Sequence, residues 1–110
     1  MRAPFQAVLD GELIGYLSTL SEAELWRGVK PMEVERHEAI LSHFRAIPLD
    51  SHAARLAGEW MQQYETHGLG WMDALIVATA KQASLAVLTR DAKLAKVLAG
   101  EAQFDVYLSK

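Results

Sequence analysis

Glu24, Asp73 and Asp91 each stand where an expected strand or loop passes into an expected helix. In an open α/β sheet the strands end, and the helices after them begin, along one common edge where ligands and ions bind. Three carboxylates distant in sequence are thereby expected to be neighbours in space. Oxygen donors of this kind, without cysteine or paired histidine, suit Mg²⁺ or Mn²⁺ rather than zinc, with waters and substrate phosphates completing the shell. Two such ions about 4 Å apart activate water and stabilise the leaving oxygen in phosphodiester hydrolysis. Each residue also has a local structural reading. Glu24 completes a Ser21-x-x-Glu24 capping box, Asp73 complements a helix dipole, and Asp91 caps a helix. Both readings stay open at the level of single residues.

The elements that must position these groups follow from periodicity and punctuation. Phe5 to Leu9 reads as a short helix with Gly11 as a left-handed cap, or as part of a hairpin turning at Asp10-Gly11. Tyr16 to Leu20 reads as a buried strand, and Ser21 opens a short helix through Trp26 and Arg27. From Met32 to Arg45, His37, Ile40, Leu41 and Phe44 recur at helical spacing, and Ile47-Pro48-Leu49 is extended. Ser51 is the expected N-cap of a long helix whose Ala53, Leu56, Ala57, Trp60 and Tyr64 share a face, with Gly68 as its stop. Asp73 begins an apolar helix, Ala74 to Ala83, and Leu85 to Thr89 has the character of a central parallel strand. Asp91 opens a helix through Leu98 that ends at Gly100, and Phe104 to Leu108 alternates like a last, edge strand.

The whole chain of 110 residues, 51% apolar and 23% charged, supports one domain with one core. It has no cysteine, so disulfides, thiolate zinc sites and thiol nucleophiles are excluded, and a reducing cytoplasm fits. No apolar run approaches the roughly 18 residues of a membrane span. The net charge of −3 requires any nucleic acid to be gripped by a local patch. His37, His43, His52 and His67 form no i, i+4 zinc pair, and Gly68-Leu69-Gly70 reads as a turn. Trp60 belongs to a core stripe, whereas Trp26 and Trp71 suit either core or a partner-binding surface.

Leu20-Ser21-Glu22-Ala23-Glu24-Leu25, Asp73-Ala74-Leu75-Ile76-Val77-Ala78-Thr79-Ala80 and Leu88-Thr89-Arg90-Asp91 follow one another in order, with Ile47-Pro48-Leu49-Asp50 between them. They resemble the second, third and fourth acidic motifs of PIN domains, especially the VapC-like toxins of bacterial toxin–antitoxin pairs. The resemblance runs from about Leu13 to Leu108. It implies an α/β, PIN-like three-layer fold, a short and mostly parallel sheet flanked by helices in one domain spanning residues 1–110. It also implies a cytoplasmic, Mg²⁺- or Mn²⁺-dependent endoribonuclease that cleaves RNA and is restrained by a cognate VapB-like antitoxin. By motif matching, Glu24, Asp73 and Asp91 are catalytic metal ligands and Thr89 stands beside them. Arg90 touches phosphate, or is a solvated charge at a helix start.

The chain departs from the family pattern at its beginning. That pattern opens with a central strand ending in aspartate. Val8-Leu9-Asp10 imitates its wording, but the 13 residues between Asp10 and Glu24 leave no room for a helical crossover. The first acidic role therefore does not pass to Asp10, and the chain resembles a member truncated at its N-terminus. The strand missing from the pattern would stand between those around Leu17 and Val87. Its absence predicts that the sheet closes up, the N-terminus rearranges, or a second copy fills the gap in a homo-oligomer. Trp71-Met72 replaces a frequent proline, and Ser84 a frequent helix-ending glycine. Two functions follow from the resemblance: an active ribonuclease toxin, or a catalytically inactive remnant acting through antitoxin binding or self-association.

Overall fold

The computed structural model describes residues 4–106. The chain is a mixed α/β protein with short parallel strands, and it divides into two units, Met1–Pro48 and Leu49–Lys110.

The first unit contains α1 (Pro4–Leu9), β1 (Gly15–Ser18), α2 (Thr19–Arg27), a 3-10 turn at Pro31–Glu33, α3 (Val34–Leu41) and β2 (Phe44–Ile47). Helix α1 ends as the sequence suggests. Gly11 adopts φ +79°, and the N–H groups of Gly11 and Glu12 donate to the carbonyls of Val8 and Ala7 at 3.1 and 2.9 Å. This is a Schellman cap, which requires the left-handed backbone that glycine adopts without a Cβ clash. Strand β1 is shorter than expected. The Ser18 side chain accepts from the Ser21 N–H at 3.0 Å, so the helix begins at Thr19 and the expected Ser21–Glu24 capping box does not form.

Strands β1 and β2 are parallel, in register from Gly15↔Phe44 to Ser18↔Ile47. Phe44, expected on a helical stripe, instead starts β2. Its ring stacks on Phe5 with centroids 5.7 Å apart, and it lies so close to Gly15 that an added Cβ would meet it at 2.8 Å. Tertiary packing of an aromatic side chain here outweighs the helical spacing that precedes it.

The second unit contains α4 (Ser51–Tyr64), a 3-10 turn at Glu65–His67, α5 (Trp71–Gln82), β3 (Val87–Thr89), α6 (Ala92–Val97) and β4 (Phe104–Val106). Asp50, not Ser51, caps α4, its Oδ1 accepting from the Ala53 N–H at 2.8 Å. Ala53, Ala57, Trp60 and Met61 of α4 and Ala74, Val77 and Ala78 of α5 are buried with Leu69 and Leu98. Alanines at i, i+4 spacing on both helices bring the backbones close and leave the volume to the indole of Trp60.

Strands β3 and β4 are parallel, Val87 opposite Phe104 and Thr89 opposite Val106. The expected central character of the third strand is not met. Among the described residues β3 has one strand neighbour, and the four strands form two separate two-stranded sheets. Tyr107 and Leu108, the end of the expected last strand, lie outside the described residues. No helix among the described residues is long and apolar enough to cross a membrane.

Candidate acidic site

The carboxyl end of β3 and the start of α6 form a turn held by two side chains. The Thr89 Oγ1 accepts from the Asp91 N–H at 3.0 Å, and the Asp91 Oδ1 accepts from the Leu94 N–H at 3.0 Å. The first bond is a hydroxyl turn spanning two residues; the second satisfies one of the N–H groups that a helix start leaves unpaired. Together they fix the Asp91 carboxylate at the end of a parallel strand, exposed to solvent. Arg90, between them, is also exposed.

Asp73 is the third residue of α5, exposed in its first turn, where the helix dipole favours an anion. Glycine occupies the N-cap at Gly70 and contributes no side-chain cap, so Asp73 is the acidic group of that helix start. Glu24 differs from the other two. Because α2 starts at Thr19, Glu24 lies in its second turn rather than at a strand-to-helix junction, and it is exposed there. Asp73, Thr89, Arg90 and Asp91 belong to the second unit and Glu24 to the first.

Oxygen is the donor type that Mg²⁺ and Mn²⁺ take. Among the described residues, however, no three histidine, aspartate or glutamate side chains form a group arranged to hold a metal ion. The residues therefore match the ion in chemistry without forming a built site.

Two polar anchors escaped the sequence reading. Glu101 accepts the Tyr64 hydroxyl on Oε2 at 2.7 Å, and its backbone carbonyl accepts from the Lys81 ammonium, so one residue after α6 ties α4 and α5 together. That hydrogen bond, assisted by partial burial and by the negative charge of Glu101, holds the Tyr64 phenol above its ordinary pKa. The Tyr64–Glu101 contact spans 37 residues and had no local signal. Ser18, by contrast, stood three residues before Ser21 and had the ordinary form of an N-cap.

A sequence model of the PIN domain matches residues 2–99. The chain belongs to the PIN domain family. No curated protein sequence matches it significantly. Among solved structures, FitAcB from Neisseria gonorrhoeae is similar at 30% identity over 96% of this chain and 86% of that one, with a TM-score of 0.70. A toxin–antitoxin complex from Klebsiella pneumoniae is similar at 25% identity, over 92% and 81% of the two chains, with a TM-score of 0.72. VapBC-5 of Mycobacterium tuberculosis, a member of the VapBC family of toxin–antitoxin systems, shares the fold at 22% identity, over 84% and 79%, with a TM-score of 0.62.

Proposed function

We propose that this chain is a VapC-like toxin, a single cytoplasmic PIN-like domain that hydrolyses RNA phosphodiester bonds with Mg²⁺ or Mn²⁺ and is held in check by a cognate VapB-like antitoxin. The observation that carries the reading is the Thr89–Asp91 turn. It offers a carboxylate at the carboxyl end of a parallel strand, in a chain whose 30%-identical relative is FitAcB. Support for the antitoxin comes from the similar Klebsiella complex.

In this reading Glu24, Asp73 and Asp91 are the metal ligands, and Thr89 and Arg90 meet the substrate. A divalent ion, when bound, lowers the pKa of water and neutralises charge on the phosphate. The chain's own contribution is positional. Thr89 fixes the backbone at Asp91, the cap engages Asp91 Oδ1, and Oδ2 is the oxygen that remains for a ligand. Arg90 supplies a guanidinium beside it for phosphate.

A second reading is favoured by the lack of a three-ligand group among the described residues. It keeps the partner surfaces and loses turnover: an inactive chain acting through antitoxin binding or a homo-oligomer.

RNA cleavage with Mn²⁺, with and without chelator, decides between them. Asparagine caps helices about as well as aspartate, so Asp91→Asn removes charge without removing the cap. The toxin reading expects chelator-sensitive cleavage that falls at least 100-fold in Asp91→Asn with the melting temperature unchanged. Cleavage equal in parent and variant rejects the site. No cleavage by a folded parent that still binds antitoxin leaves the inactive reading.

A further inference from the structure

The outward face of α4 carries a feature that the acidic site does not use. Arg55, Gly58, Glu59 and Gln62 recur at i, i+3, i+4 and i+7 and line an open cleft of about 470 Å³, together with Met61, Glu65 and Trp71. Trp71, at the start of α5, is 56% exposed, while Met61 is only 6% exposed. Gly58 is the telling position. Glycine inside a helix is less favourable than alanine, and at a close-packed site a backbone neighbour would explain it. Here a Cβ built on Gly58 meets nothing within 4 Å. Internal packing does not require the glycine, and a side chain there would enter the open space of the cleft.

The chemistry of the lining selects the occupant. Two carboxylates against one guanidinium give the cleft a net negative charge, which disfavours a phosphate chain. An exposed indole attracts a cation to its ring face, and arginine also stacks on it. We infer that the α4–Trp71 cleft is a docking site for an arginine side chain of a partner polypeptide, its guanidinium stacked on Trp71 and paired with Glu59 and Glu65. Arg55, at one end of the stripe, meets a carbonyl or carboxylate of the same segment. The cleft shares no lining residue with the Asp91 turn, and the assignment does not depend on RNA cleavage.

The test follows the three indole N–H signals of the intact chain by NMR as a blocked tetrapeptide with two arginines is added, against the same peptide with citrulline in their place. Trp60, 2% exposed, reports that the fold persists. The expected result is a saturable shift of the Trp71 signal with the arginine peptide only. It weakens at least tenfold in Glu59→Gln/Glu65→Gln, is blocked in Gly58→Leu, and is unchanged in Asp91→Asn. Equal shifts with citrulline, no shift at Trp71, or a Trp71 shift with oligouridylate in place of the arginine peptide would each overturn the assignment.

Discussion

In the unit Leu49–Lys110, Ala57, Ala74 and Ala78 are wholly buried and Trp60 is 2% exposed. In Met1–Pro48, Ala7 and Val8 are the buried apolar residues among those described, while Ile14 and Met32 stand 67% and 89% exposed. The second unit joins the amphipathic α4 to the apolar α5 through alanines and fills the remaining space with one large ring. The first leaves its large side chains exposed or half-buried and makes ring contacts in pairs, Phe5 on Phe44 and Trp26 edge-on to His37. Resistance to local opening follows buried apolar contact. Asp73 and Asp91 therefore ride on the firmer unit, and Glu24 on the one with less to hold it.

The largest effect expected from that difference is at Trp60. Replacing a buried aromatic residue by alanine costs about 3–5 kcal/mol. Urea unfolding should show Trp60→Ala losing at least twice the stability lost by Phe5→Ala, whose ring is half exposed. Equal losses would mean that the two units are stabilised alike, and the comparison would fail.

A second substitution sharpens it from the other side. Gly15 is where the first unit is close-packed, because a Cβ there would lie 2.8 Å from both the Phe44 ring and the Val8 Cγ1. Gly15→Ala should cost about 1–3 kcal/mol, the usual range for overpacking. A neutral result in the same urea assay would show that Phe44 moves aside freely, leaving the first unit with no rigid centre.

The sequence was legible wherever one local rule decided the outcome. Gly11 and Gly68 marked chain reversals and take φ +79° and +95°, and the stripe Ala53, Ala57, Trp60 on α4 is the core. It was less legible where two adjacent residues of similar chemistry competed for one role. Ser18 took the cap assigned to Ser21, and Asp50 the cap assigned to Ser51, each because its backbone is extended where the helix begins. Phe44 illegibly broke a helical period because its decisive contacts, Phe5 and Gly15, are far away in sequence. For the acidic residues, chain order and motif sufficed to place Asp73 and Asp91 at helix starts. The moved start of α2 shifted Glu24 off that pattern.

Ser84 tests how well the second unit is closed. It holds φ 58°, and the N–H groups of Ser84 and Leu85 donate to the carbonyls of Lys81 and Ala80 at 3.0 and 2.9 Å. This is the same cap that Gly11 makes in the first unit, built on a residue whose Cβ opposes it. Ser84→Gly should therefore gain about 1 kcal/mol. A gain in the melting temperature confirms strain at the end of α5; a loss would show that the hydroxyl makes up for it.

The smallest effect concerns the tie that joins α4 to the segment after α6, for which the first unit has no counterpart among the described bonds. The Tyr64 hydroxyl donates to Glu101, and the bond favours the neutral phenol, raising its pKa. Between the unfolded value of about 10 and the higher folded one, the folded chain binds more protons than the unfolded chain. The stabilisation is therefore complete below about pH 10 and declines as the pH rises through the folded pKa. Denaturant titrations at pH 8 and pH 11 should show wild type ahead of Tyr64→Phe at the lower pH and the gap narrowing at the higher. A gap independent of pH would assign the loss to packing around the ring, and the second unit would then owe its firmness to its apolar core alone.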